Sequence, residues 1–120
     1  MLHFPNSDDY FRSGPHKRVE QILSKIGLGY ESEYSFSPFT IDIYLSEWHI
    51  GIEIDGPYHS LSKDKNRDKD LLEKYGLYLL HLKTKDGQNK EEIEIAILDF
   101  IDKHYEDSEQ RKKTWLSLLH

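Results

Sequence analysis

Two short alternating segments constrain the fold more than anything else in this chain. Phe39 to Ser46 (FTIDIYLS) and His49 to Asp55 (HIGIEID) each switch between apolar and polar residues at every step, and only Glu47 and Trp48 separate them. Alternation of period two marks a strand with one buried face, and two such runs joined by two residues read as a β-hairpin. A two-residue turn fixes the register, so Leu45 faces Ile50, Ile43 faces Ile52 and Ile41 faces Ile54. That face is a block of branched aliphatics and belongs in a core. On the other face Ser46 meets His49, Tyr44 meets Gly51, Asp42 meets Glu53 and Thr40 meets Asp55.

The rest of the chain builds around this hairpin. Residues 1–12 read as an irregular lead-in. Ser13, Gly14 and Pro15 signal a helix start. Val19, Ile22, Leu23 and Ile26 follow at helical spacing, and Gly27 and Gly29 end the helix. Residues 30–36 read as a first strand. Gly56 and Pro57 break the third strand, and residues 63–75 form a highly charged helix that ends at Gly76. Leu77 to Lys83 is a fourth strand. Residues 90–105 form an amphipathic helix with Ile93, Ile97, Ile101 and Tyr105 on one stripe. A last short helix lies within residues 107–120. The order αβββαβα is that of an α/β fold, a mixed β-sheet flanked by helices in a single domain over residues 1–120.

Composition narrows the chemistry. The 120 residues hold no cysteine, so a disulfide framework and a thiolate zinc site are excluded, and any metal must sit on carboxylates, histidines or backbone oxygens. No apolar run approaches the roughly 18 residues needed to span a bilayer, and residues 1–9 lack the features of a secretion signal. A cytoplasmic location is the expectation. The formal net charge of −6 argues against holding nucleic acid by bulk electrostatics.

The acids on the polar hairpin face stand out. Asp42 and Glu53, directly opposed on adjacent strands, would sit with Cβ atoms roughly 5 Å apart, and like charges so placed are destabilising. Asp55 lies two residues along the same face. A solvated sheet face would carry acids too, but a hard divalent cation explains three together, since Mg²⁺ is commonly held by one or two carboxylates with waters and a phosphate. Gly51 beside them leaves room for another backbone to approach. His59 follows in a Gly-Pro-Tyr-His turn near Asp55 and can move a proton near neutral pH. Asp68 shares the inward stripe of its helix with Leu71, Leu72 and Tyr75. Glu20 lies at the edge of the apolar stripe of the first helix, facing either the same cleft or solvent. Lys63, Lys65 and Arg67 form a basic edge suited to phosphate contacts, or simply a solvated face.

Taken together, Asp42 in TIDIYL, GIEIDGPYH (Gly51 to His59), and Arg67-Asp68 ahead of a Leu-rich helix end and Gly76 resemble the PD-(D/E)XK nuclease superfamily. The branch they resemble most is the very short patch repair endonucleases and their relatives, including phage homing endonucleases with an E-D-x-H-D active-site pattern. The resemblance runs from about Ser13 to Leu82. It implies a restriction-endonuclease-like mixed sheet and Mg²⁺-dependent (or Mn²⁺-dependent) hydrolysis of DNA. Asp42 would be the central metal ligand, with Glu53 and Asp55 at the E-x-K positions and Asp55 where the superfamily lysine usually stands. His59 would take over proton transfer, Asp68 would orient it or help bind metal, and Glu20 would match a first-helix acid. The chain departs from the repair enzymes in lacking their zinc cysteines and any recognisable DNA-reading module. A protein partner or a further DNA-recognition domain is therefore expected. The competing expectations are an inert nucleic-acid-binding or protein-interaction module on the same fold, and a nuclease acting on RNA. The segment Trp115 to Leu119 either docks a partner or closes the core of the domain itself.

Overall fold

The two alternating segments pair as expected in a computed structural model, which describes residues 14–55, 61–83 and 89–118 of the chain. Strand β2 (Phe39–Leu45) and strand β3 (Ile50–Asp55) run antiparallel, with Leu45 opposite Ile50, Tyr44 opposite Gly51 and Ile43 opposite Ile52. The connection is longer than expected. The ladder stops at Leu45 and Ile50, and residues 46–49 form the turn, so Ser46 and His49 are not a cross-strand pair. His49 takes a left-handed conformation (φ 52°) that turns its side chain into the protein.

Strand β1 (Glu31–Phe36) adds antiparallel to β2, and β4 (Tyr78–Lys83) adds parallel to β3, giving a mixed sheet of order β1-β2-β3-β4. A parallel neighbour needs a crossover, supplied here by helix α2 (Leu61–Tyr75). Helix α1 (Gly14–Lys25) precedes the sheet, and α3 (Lys90–His104) and α4 (Ser108–Leu118) follow it. One core cluster joins Val19, Ile22 and Leu23 of α1 and Ile93 and Ile97 of α3 to Ile43, Leu45 and Ile52. A second joins Phe36, Ile41 and Tyr44 to Leu71 of α2 and Trp115 of α4. Helices therefore cover both faces of the sheet, which is why its central strands are buried on both sides. Trp115 assigns the last helix to closing the core of this domain.

One register expectation fails. Ile41 does not extend the aliphatic row of Ile43 and Leu45 toward Ile54; it packs in the second cluster beside Tyr44. The alternation shifts where Glu33 adopts φ 52°, between the pairs Ser32–Ile43 and Tyr34–Ile41, so both strands change sides at Glu33 and Asp42. Ile41 then covers Gly51. A Cβ there would lie 2.4 Å from Leu79 Cδ2 and 2.8 Å from Ile41 Cδ1. Gly51 is small because side chains close over it, not to admit another backbone.

Helix α4 is fastened to the hairpin turn by its cations. Arg111 Nη1 donates to the carbonyls of His49 (2.9 Å) and Gly76 (2.6 Å), and Lys112 Nζ donates to that of Ser46 (2.8 Å). His49 stacks on Trp115, with ring centroids 5.0 Å apart. Its Nε2 lies 2.7 Å from the Tyr75 carbonyl, which can only accept, so Nε2 carries the hydrogen and Nδ1 accepts from the Tyr44 hydroxyl at 2.8 Å. Burial pushes the His49 pKa down to about 4, against the pull of the Tyr75 carbonyl. The unfolded chain takes up this proton near pH 6.5. Below that value the unfolded state binds more protons, so stability falls as pH drops toward 4, by an amount on the order of 3 kcal/mol. Urea unfolding between pH 7 and 4 should show this loss, and His49→Asn, which tolerates the left-handed backbone, should give a shallower slope over that window.

Candidate functional site

Beyond the Ile43–Ile52 pair, side chains replace the backbone ladder between β2 and β3. The Asp42 N–H donates to Glu53 Oε2 (3.0 Å), and the Ile54 N–H donates to Asp42 Oδ2 (2.7 Å). The two acids expected to oppose one another do so, and each satisfies a backbone donor of the other strand. This offsets part of their mutual repulsion, because a carboxylate accepting an N–H gains a charge-assisted bond. Glu53 is buried and forms an ion pair with Arg67 of α2. Burial raises its pKa. The Asp42 N–H holds the value down, the Asp42 charge raises it, and Arg67 lowers it, with the net result above the ordinary value.

Strand β4 contributes a residue that the sequence did not single out. The parallel register sets His81 beside Glu53. His81 Nδ1 lies 3.0 Å from Asp55 Oδ2, and Nε2 lies 2.6 Å from Asp68 Oδ2 on α2. Burial pulls its pKa down, but the hydrogen bond and charge of Asp68 and the charge of Asp55 outweigh it, and the net shift is upward. The imidazole is thus clamped between two carboxylates, which favour its protonated form. His81 lies within the apolar run Leu79 to Leu82, which hid it. The available signal was parity: with β4 parallel to β3, His81 falls on the face of the acids.

A third group gathers on the other side of Asp42. One ligand atom each from His16, Glu33 and Asp42 lies within 4.8 Å of the others. Glu20, one helical turn after His16, is buried; its Oε2 accepts from Ser32 Oγ at 2.6 Å, and its Oε1 lies 3.9 Å from His16 Nε2. Glu20 therefore faces the cleft rather than solvent. His16 and Glu33 were missed, although the spacing of His16 and Glu20 was a signal in α1. His16 Nδ1 stands 3.8 Å from Glu33 Oε1. That separation is too long for a hydrogen bond, but suits two donors sharing an ion at about 2.1 Å from each. One imidazole and two carboxylates fit a divalent first-row cation.

The remaining expected residues are placed as follows. His59 lies outside the described residues, as does the side chain of Lys63. Lys65 is exposed, and Arg67 directs its guanidinium at Glu53 rather than outward. Asp42 is the junction. It belongs to the His16–Glu33 group and is bonded to the strand that carries Glu53 and Asp55.

Among solved structures, the chain is similar to the catalytic domain of the homing endonuclease I-Bth0305I, at 24% identity and a TM-score of 0.51, over 88% of this chain and 97% of that one. The likeness spans nearly the whole of both chains and shows the fold. No protein-family model matches the chain, and no curated protein matches it. Among the described residues, no helix is long and apolar enough to cross a membrane.

Removing one member of a buried ion pair strands the other. Arg67→Met should destabilise the protein by about 2–3 kcal/mol, somewhat less than for a fully buried pair because the arginine is partly exposed. Adding Glu53→Gln should restore part of the loss, and a double-mutant cycle by chemical denaturation measures the coupling.

Proposed function

We propose that this protein is a metal-dependent DNA endonuclease whose chemistry is centred on Asp42. The observation that carries the proposal is the position of that carboxylate, shared between the His16–Glu33 group and the layer of Glu53, Arg67, Asp55, His81 and Asp68. It occurs on the fold of an endonuclease catalytic domain. We read Glu20, Asp42, His59 and Asp68 as the E-D-x-H-D pattern, which assigns the chain to the very short patch repair-like branch of the PD-(D/E)XK nucleases.

Asp42 would hold the cation together with His16 and Glu33, with Glu20 buttressing His16 from the same helix. When bound, the cation supplies positive charge against the scissile phosphate and lowers the pKa of the attacking water. His59 takes the proton from that water or delivers one to the leaving oxygen as the phosphorus–oxygen bond breaks. Glu53, pinned by Arg67, fixes the Asp42 backbone, while His81 fixes Asp55 and Asp68. The net charge of −6 fits a catalytic unit brought to its target by a partner or another domain.

Supercoiled plasmid incubated with the protein and a divalent cation provides the test. Wild type should nick it, EDTA should stop the reaction, and Asp42→Asn should reduce the rate by a factor of about 10³ or more. Full activity in Asp42→Asn would remove the proposal. Absence of cleavage by wild type, with no metal-induced rise in melting temperature, would favour an inert binding module instead.

The imidazole in the ligand set bears on the ion. Mg²⁺ favours an all-oxygen octahedron, whereas Mn²⁺ accepts nitrogen more readily. Calorimetric titration should therefore give tighter binding of Mn²⁺ than of Mg²⁺. His16→Asn should narrow that difference.

A further inference from the structure

A groove of about 560 Å³ runs along α1 beside the Asp42 group, lined by Lys17, Glu20, Gln21, Ser24, Lys25 and Tyr30. Lys17, Gln21, Ser24 and Lys25 stand at i, i+4, i+7 and i+8 and so share one face of the helix. That face lies about 100° around the helix from the row His16–Glu20. Glu20 belongs to both, lining the groove and reaching the partly exposed His16–Glu33–Asp42 group through Ser32 and His16. Half-buried Tyr30, just ahead of β1, also lines the groove.

The charge of the groove runs against that of the chain. The protein carries 22 acids against 16 lysines and arginines, yet here two lysines and two neutral polar side chains line a channel with one acid. At a rise of 1.5 Å per residue, Lys17 and Lys25 lie about 12 Å apart along the helix, the axial span of roughly three to four phosphates of one DNA strand. An open, shallow groove with spaced cations and an aromatic side chain suits an extended polyanion better than a compact ligand.

We infer that this groove carries the sugar–phosphate backbone of the nucleic-acid strand that enters the Asp42 site, with Lys17 and Lys25 on phosphates three to four apart and Tyr30 against a sugar or base. The inference rests on the nuclease reading and adds the strand path to it. Glu20 at the inner end repels phosphate, so the path continues inward only where the cation offsets that charge.

The test is binding of a fluorescently labelled DNA oligonucleotide, followed by anisotropy between 50 and 200 mM salt, in the Asp42→Asn background so that DNA is not consumed. In that background Lys17→Gln with Lys25→Gln should weaken binding and reduce the slope of log K against log salt by about 1.8, the loss of two phosphate contacts on duplex. Lys103→Gln with Lys113→Gln, which removes the same charge from exposed positions on α3 and α4, should leave the slope near its starting value. An unchanged slope in the groove variant, an equal loss in the control variant, or no DNA binding by the Asp42→Asn protein would each overturn the inference. Plasmid cleavage by wild type, measured separately, shows whether the nuclease reading stands when the strand path falls.

Discussion

The exchange between Asp42 and Glu53 is the constraint on which the site depends. An ordinary antiparallel pair would continue its backbone ladder past Ile43 and Ile52. Here the ladder opens and two carboxylates take over as acceptors, Glu53 for the Asp42 N–H and Asp42 for the Ile54 N–H. The substitution does three things at once. It keeps buried donors satisfied, which they must be. It turns Asp42 toward α1, where His16 and Glu20 wait. It also coincides with the change of sides that sends Ile41 over Gly51 and leaves Glu53 and Asp55 beneath α2.

Gathering so many acids in one small domain requires cations at the right places, and the fold supplies them from elements distant in sequence. Arg67 from the crossover helix neutralises Glu53, and His81 from the neighbouring parallel strand sits between Asp55 and Asp68. These pairs differ in kind from the exposed bridges on α4, such as Lys113 with Glu109, where solvent screens most of the interaction. Glu53 remains raised despite its arginine because burial acts first and the Asp42 charge opposes ionisation. The His16, Glu33 and Asp42 group has two carboxylates with an imidazole and no ammonium or guanidinium among its members, so an added cation would supply there what Arg67 supplies to Glu53.

Much of this was legible from one sequence. The hairpin register, the mixed sheet, its flanking helices and the confrontation of Asp42 with Glu53 all follow from alternation and turn spacing, which are local signals. Three features were not legible, each for a physical reason. His81 was not singled out because leucines flank it on both sides in the strand, so no alternation marks its face. Glu33 was not singled out because its left-handed backbone, which brings it near Asp42, has no residue-type signature in glutamate. The fate of Ile41 and the role of Gly51 depend on a break in alternation, and perfect alternation in the sequence conceals it.

The two ends of the hairpin show how the fold divides stability from chemistry. At the turn, the carbonyls of Ser46, Trp48 and His49 accept from Lys112 and Arg111, and His49 is stacked on Trp115 with both ring nitrogens bonded. The groups there are two basic side chains, backbone acceptors and a histidine whose burial pushes its pKa down to about 4. At the other end the acceptors are carboxylates and the neighbours are imidazoles, groups whose charge responds to protons and to added cations. A rigid clamp at the turn lets the opposite end keep an opened ladder and a crowd of like charges that an unsupported two-stranded ribbon would not hold. Helix α4 supplies that clamp through Arg111, Lys112 and Trp115, whose side chains meet the turn end of the hairpin.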